Sequence, residues 1–468
     1  MNPIIKKPFK AFGFNDEDDV LRTVLEPSHK IEFIRVIFPD ILGRPMDFSF
    51  PSGELDKAFR EGKGFDGSSI EGFVRIEESD LIIKPDPKTF RLLPWTYQGF
   101  SPETSWREGI MFGDIQTPEK SYYEGDARYI LKESIRKARE EFDIDAFMVG
   151  PEMEFFLFPN DREPQPLDDG GYFFAGLHGE IRKETQLLLK QMGILSEYDH
   201  HEAAPGQHEI DFRYAGALEM ADIVMLTRYM VKRVARMHGL YATFMPKPIN
   251  GCNGSGMHVH QSLWKDGKNL FFDGNGSYHL SDMARSYIGG LVHHAREFSS
   301  IYNQWVNSYK RLIEGFEAPV YIAWGQKNRS AYIRVPRYLP GQENATRIEL
   351  RSPDPGSNIY LAFAAMLAAG LAGVRNRYSL PDPVEDNIYE MSGTKQKKLR
   401  IQTLPRNLEE SVRLLEKSET ARAVLGDYLL SRFIANKREE IDDYGKNTSA
   451  EFDKQVSDYE IKRYLPIL

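Results

Sequence analysis

Residues 151–158 read Pro151-Glu152-Met153-Glu154-Phe155-Phe156-Leu157-Phe158. The run is too apolar for a surface segment and too acidic for an ordinary core. A β-strand sends alternate side chains to opposite faces. Glu152 and Glu154 therefore share one face, with Met153 and Phe155 behind them. Three more segments repeat the pattern. Over 207–214, Glu209, Asp211 and Arg213 share a face against Ile210 and Phe212. Over 256–264, His258, His260 and Ser262 line up; over 346–352, Arg347, Glu349 and Arg351 line up against Ile348 and Leu350.

One such strand is explained by an edge with one face in water. Four, set among apolar neighbours, point to a shared polar funnel, because buried carboxylates are costly unless paired or metal-bound. Its contents are Glu152, Glu154, Glu209, Glu349 and His258, with Glu202 a short step before Glu209. Carboxylates with one imidazole suit Mg²⁺ or Mn²⁺ better than zinc or copper. Arginines interleaved with such ligands are what phosphoryl transfer requires, to hold anionic substrate and developing charge.

The rest of the chain sets these strands in an α+β frame. Residues 1–121 are rich in Pro and Gly with short apolar stretches, and read as a small strand-dominated domain. Residues 122–468 alternate strands with helices and read as one large domain. Helices are expected from Asp126 through Phe142 and over Glu180–Met192, Ala217–His238, Asp282–Tyr302, Ile359–Val374 and Leu408–Lys417, with a helical tail over Ala450–Leu468.

Composition excludes several classes. The 468 residues carry 60 basic and 69 acidic side chains, a formal charge of −9, which argues against a general nucleic-acid binder. A single cysteine, Cys252, cannot form an internal disulfide and suits a reducing cytosol. The N-terminal stretch lacks the apolar core of a signal peptide. The apolar run Ile359–Val374 is short of the ~20 residues that span a membrane and reads as a buried helix.

Two loops add chemistry. Asn250–Gly256 is glycine-rich and leads straight into His258, so backbone can approach a ligand closely there. Residues 309–334 hold Arg311, Glu317, Arg329 and Arg334, and Gly315 would let a short lid move. Gly62-Lys-Gly64-Phe-Asp-Gly67 matches a dinucleotide-binding pattern, but it follows a helical segment and lacks a surrounding βαβ unit. No GxxxxGK[ST] phosphate loop occurs. Of the tandem histidines, His293-His294 reads as structural, and His200-His201 as standing behind the candidate ligands.

Taken in order, FDGSSIEGF (65–73), PEMEFFLF (151–158), HHEAAPGQHEIDF (200–212), NGSGMHVHQSL (253–263), KRLIEGFEAP (310–319), NRSAYIR (328–334) and RIELRSPDP (347–355) resemble glutamine synthetase of class I, the bacterial and archaeal type, in its non-adenylylated subgroup. The resemblance implies a β-grasp-like N-terminal domain over 1–121 and a catalytic domain over 122–468. The latter would hold a funnel-shaped antiparallel sheet flanked by helices. It implies two stacked hexamers with sites between subunits. One metal site would be Glu154, Glu202 and Glu209, the other Glu152, His258 and Glu349, with two to three Mg²⁺ or Mn²⁺ ions in all.

ATP would contact Glu197, Tyr214, His260, Ser262, Arg329, Arg334 and Arg347. Glutamate would contact Glu154, Asn253, Gly254, Arg311, Glu317 and Arg351. The implied catalytic residues are Asp66, Glu317 and Arg329, with Asp66 lent to the adjacent subunit to receive ammonium. Arg75 matches the subgroup inhibited by glutamine, and nitrogen-regulatory proteins are possible partners.

Departures qualify the likeness. Tyr389 lies in the region adenylylated elsewhere in the family, but its flanks differ; Asn344 replaces a lysine near ATP, and Glu314 stands where proline is common. Three alternatives are a ligase for polyamines or other amines, a non-catalytic relative, and a glycoside hydrolase. Intact Asp66-Gly-Ser-Ser69 argues against the first and the complete ligand set against the second. The third leaves His258 and the arginines unexplained.

Overall fold

The strand Ile31–Pro39, buried along most of its second half, builds the first sheet. Ile34, Val36 and Phe38 turn into a core with Ile83, Met111 and Ile115, on which the helix Leu55–Glu61 sets Leu55, Ala58 and Phe59. This computed structural model describes residues 14, 16–73, 80–99, 101, 104–328, 330–449 and 454–468. The strands here are β1 (Ile31–Pro39), β2 (Pro45–Pro51), β3 (Lys63–Asp66), β4 (Asp80–Pro85), β5 (Arg91–Leu92) and β6 (Arg107–Gln116). Their order is β2-β1-β6-β4-β3, with β1 and β6 parallel inside an otherwise antiparallel sheet.

The second sheet carries the site. Its strands are β7 (Ala146–Phe158), β8 (Ser196–His201), β9 (Gln207–Phe212), β10 (Ala215–Gly216), β11 (Tyr241–Thr243), β12 (Val259–Lys265), β13 (Lys268–Asn269), β14 (Tyr321–Gly325), β15 (Ala331–Arg334), β16 (Ile348–Leu350) and β17 (Gln402–Thr403). The main path runs β17-β14-β15-β16-β12-β7-β9-β8, antiparallel except for β14 beside β15. Helices Ala127–Phe142, Ala217–Met237, Asp282–His293 and Ile359–Asn376 supply the apolar backing. The expected α+β architecture is therefore present.

Two contacts lock the sheets together. Arg128 is fully buried and pairs with Asp86 and Asp114 of the first sheet's domain and Asp222 of the helix Ala217–Met237. Gly43, at φ 76°, turns the β1–β2 hairpin so tightly against Asn358 that a Cβ there would sit 2.5 Å from the Asn358 Cα. Asn358 in turn caps the helix Ile359–Asn376. That helix is long and apolar enough by composition to cross a membrane, yet 72% of it is buried inside the protein, as the sequence reading expects of a core helix.

Three local expectations change. The helix expected over Asp282–Tyr302 divides into Asp282–His293 and Ser299–Tyr302. At the break, Glu297 accepts hydrogen bonds from His294 and from Ser418, so tertiary partners outweigh helix continuation. The helix Glu419–Asn447 was not anticipated; Gly426, at φ 74° inside it, interrupts the periodicity that would have revealed it. In the tail, helix is confined to Asp458–Tyr464, and residues 450–453 lie outside the described set.

Candidate active site

Strand register assembles the site. In the β7–β9 ladder Glu152 faces Asp211 and Glu154 faces Glu209; in β12–β16 His260 faces Glu349; in β15–β16 Arg334 faces Glu349. His258, just before β12, accepts the amide of Glu152 on its carbonyl. Like charges directly opposed across a ladder repel. Two such pairs on a buried face are stable only with a cation or protons between them.

The side chains form one continuous cleft with two compartments. The first, about 190 Å³, is lined by Glu152, Glu154, Glu202, Glu209, Glu317, Glu349, His258, Asn253, Gly254, Arg311, Arg334 and Arg351, among others. The second, about 370 Å³, is lined by Glu197, Tyr214, His260, Ser262, Arg334, Arg347 and Asn344, among others. Glu152, Tyr198 and Arg334 belong to both.

Ligand-type atoms of Glu152, His258 and Glu349 lie within 4.8 Å of one another, as do those of His200, Glu209 and Asp211. His258 Nδ1 is 2.9 Å from Glu152 Oε2, and Arg351 Nε is 3.2 Å from Glu349 Oε1. Arg334 pairs with the other Glu349 oxygen. Arg347 donates to His260 Nδ1 at 3.2 Å; guanidinium only donates, so His260 Nε2 carries the proton shared with Glu152 at 2.9 Å. Glu154 accepts the amides of Gly256 at 2.9 Å and Gln207 at 2.7 Å.

The electrostatics ask for a cation. Burial, and then the charge of Glu202, push the Glu154 carboxyl well above its usual range despite Arg311. Burial, and then Asp211, do the same to Glu209. Burial would raise Glu152 too, but His258 and His260 hold it well below the usual range. Asp211 rises to about 6 through burial and Glu152, and its Oδ1 has no hydrogen-bond partner. The first compartment sets six glutamates against three arginines and a histidine. This donor set suits a hard divalent cation.

The segment expected to act as a lid forms part of the first compartment's wall. Phe316, Glu317 and Ala318 line it, with Gly315 and Glu317 both at positive φ. Lys247 Nζ lies 4.2 Å above the Phe316 ring, and the Tyr389 hydroxyl donates to the Ala318 carbonyl. Glu314 accepts the Tyr321 hydroxyl at 2.7 Å, tying this segment to β14.

The cleft gathers almost all of the residues expected there. Asp66 is outside its own chain's cleft, exposed, and accepts the amide of Ser68. Arg329 and Arg75 lie outside the described residues. Not anticipated as site residues were Asp211, Tyr198, Tyr172, Gln207 and Phe316. Asp211 was detectable from its two-residue spacing to Glu209, whereas the others reach the cleft only through tertiary packing. Of the tandem pair, His200 stands 3.2 Å from Glu209, while His201 turns to Asp168 at 2.9 Å. Cys252 is half-buried and its thiol points to the Ile249 carbonyl.

Known proteins resemble this chain over nearly its whole length. The family model "Glutamine synthetase, catalytic domain" matches residues 124–464, and "Glutamine synthetase, beta-Grasp domain" matches residues 30–115. The chain belongs to the glutamine synthetase family. A glutamine synthetase of Methanosarcina mazei is 44% identical over 460 residues, 97% of this chain and 98% of the relative. Those of Mycolicibacterium smegmatis and Thermotoga maritima are 43% and 42% identical, over 96% of this chain and 98% and 99% of theirs. A solved structure described as a GmaS/ADP complex aligns with TM-score 0.81 at 30% identity, covering 96% of this chain and 99% of that one. The glutamine synthetase reaction draws on ATP and a divalent metal, and the two compartments offer chemistry suited to both.

Proposed function

We propose that this chain makes L-glutamine from L-glutamate and ammonia, with ATP converting the side-chain carboxylate to γ-glutamyl phosphate before ammonia displaces phosphate. One observation carries the reading. A compartment lined by Arg311 and Arg351 meets a compartment with an exposed ring, Tyr214, at a shared wall of Glu152 and Arg334. Phosphoryl transfer needs its donor and acceptor to meet at such a wall.

In this reading, Glu152, His258 and Glu349 hold one cation and Glu154, Glu202 and Glu209 another. Mg²⁺ or Mn²⁺, two to three per site, would neutralise phosphate oxygens. Asp211 and His200, beside Glu209, add donors to the second site. Tyr214, parallel to Trp264 within 20°, offers a face for adenine, with Glu197, His260, Ser262 and Arg347 around the nucleotide.

Arg311 and Arg351 take glutamate's α-carboxylate, assisted by Asn253, Gly254 and Glu154. Arg334 and Arg329 balance charge on the transferred phosphoryl group. Glu317 closes over the acyl phosphate, excludes water and accepts a proton from the ammonia adduct. Asp66, exposed and outside the lining of its own cleft, would bind ammonium in a neighbour's site within a dodecamer of two stacked hexamers.

The domain boundary near 121–122, cytoplasmic location, glutamine feedback through Arg75 and nitrogen-regulatory partners belong to the same proposal. The lone cysteine and net charge of −9 support a cytoplasmic protein that binds neither nucleic acid nor membrane. The test is phosphate release from ATP with glutamate and Mg²⁺, using ammonium or a polyamine as the amine. Turnover dependent on glutamate and ammonium supports the proposal; turnover with the polyamine alone overturns it. A glutamine titration without inhibition would remove the Arg75 role.

A further inference from the structure

A second cavity of about 230 Å³ lies away from the cleft, where the β1–β2 hairpin meets the helix Ala217–Met237 and the segment Pro355–Gly356. Its walls are largely apolar, from Leu42, Pro45, Tyr229, Phe244, Ile467 and Leu468. Its charged side chains are all cations. Arg228, Lys232 and Arg236 recur every four residues and so stand on one helix face, with Arg44 and Arg233 beside them. Among the described residues no acidic side chain lines it.

Like charges four apart on a helix destabilise it. Attraction to the helix C-terminus accounts for Arg236, in the last turn, but the dipole effect does not reach Arg228 two turns upstream. The flanking cations have partners elsewhere: Arg44 pairs with Asp40 at 2.6 Å and Arg233 lies over Trp95.

Arg228 is 7% exposed. One of its terminal nitrogens donates to the Ser357 carbonyl at 2.9 Å, yet its Nε has no hydrogen-bond partner. The buried Asp354 attracts it without bonding to it. Burial and the charges of Arg228 and Arg236 push the Lys232 ammonium down to about 7. A cationic stripe that runs from buried Arg228 through half-buried Lys232 to exposed Arg236, with the Arg228 Nε left over, is costly to the fold alone at its buried end. It is the arrangement expected of a site that spends stability on a ligand.

We propose that this cavity is a binding site for a small organic anion, a carboxylate or phosphate with an aliphatic or aromatic body, held by Arg228, Lys232 and Arg236. The apolar wall takes the body and the cationic stripe takes the anionic head.

Isothermal titration of the full chain with hexanoate, phenyl phosphate and, as an uncharged control, 1-hexanol tests this. The expected result is saturable binding of hexanoate or phenyl phosphate but not of hexanol. Binding should weaken at least tenfold in Lys232→Met and in Arg236→Met and persist in Arg351→Gln, whose change lies in the catalytic cleft. No saturable anion binding, binding that survives both helix substitutions, or binding lost in Arg351→Gln alone would overturn the proposal. Without ligand, Lys232→Met should melt at the wild-type temperature or above. A lower melting temperature would show that Lys232 serves the fold and would also overturn it.

Discussion

Glu154 and Glu209 stand directly opposite each other across the β7–β9 ladder, both buried and both held above the usual carboxylate range. Their repulsion is the clearest sign that the cleft is built around a cation. A divalent metal at about one hundred times its dissociation constant would then stabilise the fold by about 2.7 kcal/mol. Thermal melts with Mg²⁺ or Mn²⁺ and with a chelator check this. Glu209→Gln should raise the melting temperature of the chelated protein, abolish turnover and remove most of the metal-dependent shift.

Tyr389 fastens the lid through its hydroxyl on the Ala318 carbonyl. A typical hydrogen bond contributes about 0.5–1.5 kcal/mol. Tyr389→Phe should therefore lower kcat/KM for glutamate by roughly two- to tenfold. It should also raise ATP hydrolysis in the absence of ammonium, because a looser lid admits water to the acyl phosphate. Coupled and uncoupled phosphate release measure both.

Arg128 joins three aspartates from both domains. Removing one member of a buried ion network leaves charge uncompensated and costs about 3–5 kcal/mol. Arg128→Ala should lose about that much in denaturant melts, while Arg136→Ala, on the same helix but solvent-exposed, should change stability by less than about 1 kcal/mol.

Asp354 is fully buried, its Oδ2 lacks a partner, and burial raises its carboxyl to about 6 although Ser308 and Arg311 oppose the shift. The unfolded group titrates near 3.9. Between those values the folded state binds more protons, so this group's contribution is present below about pH 4 and lost as pH rises through about 6. Asp354→Asn keeps an acceptor for the Gly356 amide and should be more stable than wild type at pH 7, by up to about 3 kcal/mol. The advantage should vanish near pH 4, as denaturant melts across that range would show.

Much of this was legible beforehand. Strand periodicity placed Glu152 with Glu154 and Glu209 with Asp211, because alternation follows from backbone stereochemistry alone. The limits are equally physical. Gly426 hid the helix Glu419–Asn447 by breaking its period, and at the break in another helix Glu297 bonds to His294 and to the distant Ser418.

By itself the sequence determined which side chains share a strand face, that their chemistry is acidic with one imidazole, and to which family the chain belongs. Only the tertiary structure decided which faces meet: that Glu152 opposes Asp211, that Tyr389 grips the lid, and that Arg228, Lys232 and Arg236 line a cavity away from the cleft. Local order depends on neighbouring backbone geometry. Register and packing depend on contacts between segments far apart in the chain, whose pairing no local pattern encodes.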